Sequence, residues 1–113
     1  MNKREVGSKY ERIAAEYLTS HGMTVIEMNY RVRIGEIDIV ARDGDYLVFV
    51  EVKYRADKEH GGAAYAISET KKRKIYRVAQ WYMTYHKIPK DQYCRFDAVL
   101  IDNGEITHIK NAW

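Results

Sequence analysis

The feature that most constrains the fold is a pair of apolar segments joined by a short turn. Residues 36–41 read EIDIVA and residues 46–53 read YLVFVEVK, and both are rich in the β-branched and aromatic residues that favour strands. The intervening RDGD at 42–45 supplies a glycine where a tight hairpin turn needs one. The two segments therefore predict an antiparallel hairpin within a sheet.

The pairing of this hairpin determines which side chains share a face of the sheet. A two-residue turn exists in two versions, at residues 43–44 or at residues 44–45. The first version places Asp38 diagonal to Glu51 across the hairpin, and the second places it directly opposite. Asp38, Glu51 and Lys53 share a face in both versions, whereas a three-residue loop would move Asp38 to the other face.

The two faces of the hairpin are expected to differ in composition. One face is predicted to be plain apolar core, formed by Ile37, Ile39, Val48, Val50 and Val52. The other face places the ionisable groups beside further apolar residues, which are Val40, Leu47 and Phe49. Because this second face is also largely apolar, we expect a helix to cover it.

The remaining segments complete a mixed α/β domain. Apolar residues recur at helical spacing over 4–20 and again from about Ser68 to before Pro89. Further strands are predicted at 24–30, 94–101 and 105–110, and a short helical segment is predicted near 63–67. The predicted fold is a single mixed β-sheet flanked by helices, with the order α-β-β-β-α-β-β, in one domain spanning residues 1–113.

The grouped acids suggest a metal site. Two neighbouring carboxylates repel each other, so one tends to stay protonated at neutral pH unless a cation relieves the repulsion. Carboxylate oxygens are the ligands that Mg²⁺ and Mn²⁺ prefer, which makes Asp38 and Glu51 candidate ligands. Glu36, two residues before Asp38, is a rival ligand. The alternative is an exposed salt-bridged cluster of little energetic consequence.

Composition restricts the other classes of function. The single cysteine excludes an intrachain disulfide and gives no support to a zinc site built from thiolates. The charged N-terminus does not resemble a secretory signal, and no apolar run is long enough to span a membrane, so we expect a cytoplasmic protein without a membrane partner. The net charge of +3 is mild. The basic run KKRKIYR at 71–77 could contact nucleic-acid phosphates or form a solvated helix face.

The motifs around the hairpin resemble a nuclease signature. GEID at 35–38, followed by the hairpin and FVEVKYR at 49–55, resembles the signature of the PD-(D/E)xK nucleases, which include archaeal Holliday-junction resolvases and many restriction endonucleases. The whole chain resembles the small bacterial YraN-type proteins, which are grouped with those resolvases. Three further segments carry this likeness: GSKYERIAAEYL, SETKKRK and RFDAVLIDNGEITHIKNAW. The chain departs from the pattern where Ile37 replaces the motif's proline and where Ser-Lys-Tyr precedes Glu11.

The resemblance implies a restriction-endonuclease-like core and a metal-dependent endonuclease that acts on branched or structured DNA. By this likeness Asp38 and Glu51 hold Mg²⁺ or Mn²⁺, and Glu11 contributes from the first helix as an outer ligand or through water. Lys53 is implied to orient or help deprotonate the attacking water and to offset charge on the phosphate. The alternative is a non-catalytic nucleic-acid-binding module that keeps the nuclease fold. A homodimer is compatible with resolvase-like cleavage of two strands.

Five basic residues near the hairpin and the long helix are candidate phosphate contacts: Arg31, Arg33, Arg55, Lys71 and Lys74. Lys71 and Lys74 begin the long helix, where the helix dipole would add to their attraction for phosphate, although a solvated helix face explains them nearly as well. Arg55 could equally pair with an acid at position 57 or 59.

Two further groups of residues are given structural roles. We expect Asp97 to anchor the helical region by hydrogen bonds. The tyrosines lie mostly at inward positions, so they are not interpreted as a platform for base stacking.

Overall fold

A computed structural model describes residues 3–55 and 67–113 of the chain. Over these ranges the element order is α-β-β-β-α-β-β, as predicted, with one five-stranded mixed sheet and two helices. The elements are α1 (Lys3–Ser20), β1 (Thr24–Val32), β2 (Gly35–Asp43), β3 (Tyr46–Arg55), α2 (Glu69–Tyr85), β4 (Cys94–Asp102) and β5 (Glu105–Ile109). A short helical segment was predicted near 63–67, and its positions 63–66 lie outside the described residues. Ile67 is described and is not helical.

The strands lie in the order β1-β2-β3-β4-β5. All neighbouring pairs are antiparallel except β3 and β4, which are parallel. A parallel pair needs a crossover connection between its strands, and α2 lies in this connection. The crossover therefore brings the start of α2 near the end of β3, where the signature residues lie.

The turn between β2 and β3 is the second of the two predicted versions. Asp43 pairs with Tyr46, so the turn consists of Gly44 and Asp45. Gly44 has a φ of +60°, in the left-handed region that glycine adopts without the steric penalty of a side chain. The register that follows from this turn places Asp38 level with Glu51.

Each face of the sheet is covered by one helix. The α1 side contains buried apolar residues from the helix and from β2, β3 and β4, among them Ala14, Leu18, Ile39, Val48, Val50 and Val99. The α2 side contains Val40, Leu47, Phe49, Ile75, Val78 and Tyr82. The predicted division of the hairpin is confirmed except at Ile37, which lies on the α2 side rather than beside Ile39. That prediction was wrong because strict alternation along β2 breaks at Asp38.

A buried polar cluster joins β4, β5 and the end of β2. Arg95 donates hydrogen bonds to Asp97 and to Asp43, each at 2.8 Å. His108 Nε2 donates to Asp97 at 2.7 Å, and the Asn111 amide donates to it at 3.0 Å. The structural role predicted for Asp97 is therefore confirmed, but its partners lie on strands and at the C-terminal end rather than on helices.

Candidate functional site

The site forms where β2 separates from β3. Regular pairing of these strands ends at Ile39 and Val50, although both strands continue beyond that point. The Val52 amide instead donates a hydrogen bond of 2.8 Å to Oδ2 of Asp38. The carboxylate thus takes the place of a backbone carbonyl in the ladder, and this contact holds an acid that is only 8% exposed.

Asn29 lies on the other side of Asp38. The register of β1 and β2 on either side of this position places Asn29 level with Asp38. Its φ of +56° is unusual within a strand, but asparagine tolerates the left-handed region better than most residues. The Asn29 side chain also makes a hydrogen bond with Glu11. Backbone irregularity therefore occurs on both strands at the level of the candidate ligand.

Glu11 reaches this level from α1. It is half-buried, and its carboxyl group makes a hydrogen bond with that of Asp38. A hydrogen bond between two carboxyl groups requires one of them to carry a proton. Burial raises the pKa of Glu11, and the charge of Glu36 raises it further, against the lowering effect of the hydrogen bonds to Asp38 and Asn29.

Glu51 projects toward the start of α2. Its Oε1 lies 2.8 Å from Nζ of Lys71, and the Glu51 side chain is only 4% exposed, whereas that of Lys71 is 47% exposed. Ser68 caps α2 by accepting a hydrogen bond of 3.1 Å from the Lys71 amide, which fixes the first turn. Burial lowers the pKa of Lys71, but the hydrogen bond and charge of Glu51 outweigh it, so the net shift is upward.

Asp38 lies within electrostatic range of two other acids, Glu51 and Glu11, and of Lys71. Burial raises the pKa of Asp38 well above its usual range, and the charges of Glu51 and Glu11 raise it further. The Val52 amide and the charge of Lys71 oppose this shift without cancelling it. Asp38 therefore tends to keep a proton, and a bound cation would relieve the same repulsion between the acids.

The carboxylate oxygens of these acids suit a magnesium site in which the protein supplies only a few of the ligands. Within residues 3–55 and 67–113, no group of three or more His, Cys, Asp or Glu is spaced to hold a metal ion. Magnesium does not require such a cage, because it keeps several waters and usually binds one or two carboxylates together with substrate phosphates. Asp38 and Glu51 are buried oxygen donors of this kind, and Glu11 supports Asp38 from one side.

A cleft of about 380 Å³ opens beside Lys71, between the turn joining β1 to β2 and the start of α2. Its lining combines apolar residues, an acid and two lysines: Ile34, Gly35, Glu36, Ser68, Thr70, Lys71, Lys74 and Ile75. Lys74 thus lines the cleft, and its contact with phosphate stays a prediction. Lys71 lines it as well, but its ammonium group contacts Glu51, so its contact with phosphate stays a prediction.

Lys53 lies near the acids without contacting them. Alternation along β3 places it on the same face as Glu51, and it is half-buried. Within the part of the chain that the structure describes, Lys53 makes no ion pair. Its catalytic role stays a prediction.

The three predicted arginines lie around the site rather than within it. Arg31 forms a salt bridge of 2.8 Å with Glu36, so the rival ligand is engaged with an exposed partner. Arg33 is exposed in the turn between β1 and β2. Arg55 ends β3, and its backbone carbonyl accepts a hydrogen bond from the Asn103 amide. Phosphate binding by these residues stays a prediction.

Sequence reasoning missed two contributions to the site. Asn29 carried a usable signal, because asparagine is a poor strand former and lies at the centre of EMNY in a predicted strand. The pairing of Lys71 with Glu51 carried no local signal, since it joins two elements through the tertiary fold.

Comparison with known proteins identifies the family. The model of the uncharacterised protein family UPF0102 matches residues 10–101, which include every candidate catalytic residue. The chain belongs to the UPF0102 family. This membership confirms the likeness to YraN-type proteins seen in the sequence.

Individual UPF0102 proteins match the chain over nearly its full length. The UPF0102 protein of Lachnoclostridium phytofermentans is 47% identical over 113 residues, covering 100% of this chain and 96% of that protein. Those of Herminiimonas arsenicoxydans and Shewanella woodyi are 45% and 40% identical, covering 95% and 97% of this chain and 85% and 92% of those proteins.

Neither helix in the described ranges is long and apolar enough to cross a membrane.

Proposed function

We propose that this UPF0102 protein is a metal-dependent endonuclease that hydrolyses phosphodiester bonds in branched or structured DNA. The observation that carries the proposal is the buried pair of Asp38 and Glu51 at the point where β2 leaves β3. Two adjacent buried acids destabilise a fold unless a cation or a proton compensates them. The binding of a divalent cation and a phosphate would explain why two acids are buried beside a cleft that contains lysines.

The roles of the residues follow from their positions. A bound Mg²⁺ or Mn²⁺ would supply activation of water and neutralisation of the charge that develops on the phosphate. Asp38 and Glu51 would hold this ion, and Glu11 would keep the Asp38 carboxyl group oriented through their hydrogen bond. Lys53 would orient or help deprotonate the attacking water once the DNA is bound.

The surrounding basic residues would position the DNA backbone. Lys71 and Lys74 line the cleft, and Arg31 and Arg33 lie at its outer edge on the β1–β2 hairpin. Arg55 would contact the backbone beyond the end of β3. Symmetric cleavage of two strands would require a two-fold dimer. The proposal places the protein in the cytoplasm.

Cleavage of defined DNA substrates tests the proposal. Wild type should cut a labelled four-way junction or flap in Mg²⁺ or Mn²⁺, whereas Glu51→Gln should lose activity by about 100-fold or more because a candidate ligand is neutralised. Glu105→Gln changes an exposed glutamate in β5 and should cut like wild type. Equal inactivity of wild type and Glu51→Gln across linear, nicked and branched substrates would contradict the nuclease proposal.

One observation favours a second candidate, a nucleic-acid-binding module without catalysis. Lys71 Nζ lies 2.8 Å from Glu51, so the protein already supplies a cation to one candidate ligand. Calorimetric titration with Mn²⁺ distinguishes the two candidates. Binding that is lost in Asp38→Asn supports the nuclease, whereas DNA binding without any Mn²⁺ binding supports the module.

A further inference from the structure

The outer surface of α2 carries basic and aromatic side chains that lead away from the candidate site. Lys74, Arg77, Trp81 and Tyr85 follow one another at intervals of three or four residues, so they lie on one side of the helix. We call these four residues the α2 stripe. Trp81 is 57% exposed and Tyr85 is 75% exposed. The prediction that the tyrosines lie mostly at inward positions is wrong, because Tyr46, Tyr54, Tyr76 and Tyr93 are exposed as well. The adjacent side of α2 is buried in the core through Ile75, Val78, Ala79 and Tyr82.

A groove follows the α2 stripe and connects with the cleft at the site. The groove has a volume of about 310 Å³ and is lined by Ile34, Arg77, Gln80, Trp81 and Thr84. Ile34 also lines the cleft beside Lys71. The groove and the cleft therefore meet at Ile34, and together they run along α2 from Lys71, the partner of Glu51, to Trp81.

The internal structure does not account for the position of Trp81. Among the described residues its indole makes no ring contact, whereas Trp113 lies against Phe96 with ring centroids 5.7 Å apart. Lys74 and Arg77 form no ion pair with an acid in these same ranges. An exposed indole flanked by two unneutralised cations has the chemistry that binds a nucleobase by stacking and its backbone by charge.

Geometry favours a single strand over a duplex as the occupant. The bases of a duplex are stacked on each other, so an indole at the protein surface can stack only on an unpaired base. Lys71 and Trp81 are ten residues apart on α2, which corresponds to about 15 Å along the helix axis. A stacked strand advances about 3.4 Å per nucleotide, so this distance spans about four nucleotides.

We propose that the α2 stripe binds the unpaired strand of a branched DNA substrate, with one base stacked on Trp81 about four nucleotides from the phosphate at the site. This inference rests on the proposed nuclease function for its biological meaning and specifies the substrate as DNA with a single-stranded arm. The binding itself is independent of cleavage.

Binding of labelled oligonucleotides in EDTA tests the inference without catalysis. Fluorescence anisotropy should show that Trp81→Ala weakens binding of a 12-nucleotide oligothymidylate by about tenfold or more, while Trp81→Phe retains most of the affinity. Binding of a blunt duplex should change by less than about twofold in both variants, because no unpaired base is present. Tyr93→Ala removes an aromatic side chain of similar exposure outside the α2 stripe and should have no effect.

Two further measurements test the same contact. In Trp113→Phe, Trp81 is the only tryptophan, and its fluorescence should be quenched by the oligothymidylate but not by the duplex. In Lys74→Ala/Arg77→Ala, the slope of log affinity against log salt should decrease by about 1.4, because each single-strand phosphate contact contributes about 0.7.

The outcomes separate this inference from the nuclease proposal. Trp81-dependent binding of single strands in a protein that does not cut DNA supports the inference and contradicts the nuclease. The inference is overturned if Trp81→Ala weakens the binding of single strands and duplex equally, or if it does not weaken the binding of single strands at all. This holds whatever the cleavage result. A wild-type dimer that becomes monomeric in Trp81→Ala, measured by sedimentation, also overturns it, because the α2 stripe would then be a subunit interface.

Discussion

At the residue scale, the central fact is that buried acids are held in defined positions by different partners. Asp38 accepts a hydrogen bond from a backbone amide, and Glu51 contacts an ammonium group. A buried carboxylate without such partners would lose far more solvation energy than folding could replace. These partners stabilise the two acids when no metal ion is bound. A metal ion that binds the acids would have to compete with these contacts.

Replacement of Lys71 by methionine tests whether its ammonium group balances Glu51. We expect a loss of about 1–2 kcal/mol in the free energy of unfolding, because a buried acid loses its cation, with part of the effect screened by solvent at the half-exposed lysine. Mn²⁺ should then raise the melting temperature more than it does in wild type, since the competing cation is absent. Urea unfolding and thermal unfolding with and without Mn²⁺ measure both effects.

Lys72→Met is the matched control. Lys72 pairs with the exposed Glu69 at 3.2 Å, so its replacement should change stability by less than about 0.5 kcal/mol and leave the Mn²⁺ effect unchanged. An equal response of both variants to Mn²⁺ would show that Lys71 and the ion do not compete.

Asn29 combines an unusual backbone with a contact to Glu11. Asn29→Gly should retain the positive φ and lose only the side-chain hydrogen bond, whereas Asn29→Val should destabilise the fold by a further 1–2 kcal/mol or so, because a β-branched residue is strained there. Both variants should weaken Mn²⁺ binding about tenfold, since Glu11 loses its partner. Chemical unfolding and calorimetry give the two quantities.

Asn103 provides the control because its φ is +52° in the turn between β4 and β5. Asn103→Val should show a similar strain without any change in Mn²⁺ affinity. A normal Mn²⁺ affinity in Asn29→Gly would mean that the contact with Glu11 does not support the site.

At the element scale, the start of α2 has to be fixed relative to β3. The helix lies in the crossover between two parallel strands, and its Ser68 cap determines where the first turn begins. Lys71 lies in that turn, and the α2 stripe continues along the same helix. A change in the cap should therefore affect the candidate site and the groove together.

Ser68→Ala should lower the free energy of unfolding by about 1 kcal/mol, because the Lys71 amide loses its acceptor. Ser68→Thr should retain most of the stability, since threonine also caps helices. Ser20→Ala removes a hydroxyl near the end of α1 and should change stability by less than about 0.5 kcal/mol. Equal stability of Ser68→Ala and wild type in urea would show that the cap does not stabilise α2.

At the scale of the whole molecule, one acid joins distant parts of the chain. Asp97 is fully buried and receives hydrogen bonds from β4, from β5 and from the residues after β5, while Arg95 extends the cluster to Asp43 at the end of β2. Burial alone would raise the pKa of Asp97, but the hydrogen bonds from His108, Arg95 and Asn111 lower it on balance.

The direction of this pKa shift predicts the pH dependence of stability. A carboxyl group with a lowered pKa in the folded state stabilises the fold above its ordinary pKa of 3.8, and this contribution is lost as the pH falls through the lower folded value. Asp97→Asn should therefore destabilise the protein by about 3 kcal/mol at pH 7. The difference from wild type should shrink as the pH falls below 3.8.

Urea unfolding between pH 7 and pH 3 measures this dependence. Asp91→Asn changes an exposed acid in the loop before β4 and should match wild type at every pH. A constant difference between Asp97→Asn and wild type over the whole range would show that the charge of Asp97 is not the stabilising feature.

The local patterns predicted most of the architecture. The hairpin was predictable because Gly44 lies between two strand-like segments and because a two-residue turn admits only two registers. Both registers bring Asp38 close to Glu51, diagonal in one and directly opposite in the other, and the structure shows the second. Ile37 was misplaced because its side depends on the separation of β2 from β3, which the alternation of residues does not encode.

The sequence by itself determined the order of the elements and restricted the hairpin to two registers that both bring Asp38 close to Glu51, since these features depend on contacts between residues close in the chain. Only the tertiary structure decided that Lys71 meets Glu51 and that Glu11 and Asn29 meet beside Asp38. It also decided that Trp81 faces solvent on a surface continuous with the site. The physical reason is that these contacts join separate elements, so their geometry depends on how both helices pack against the sheet.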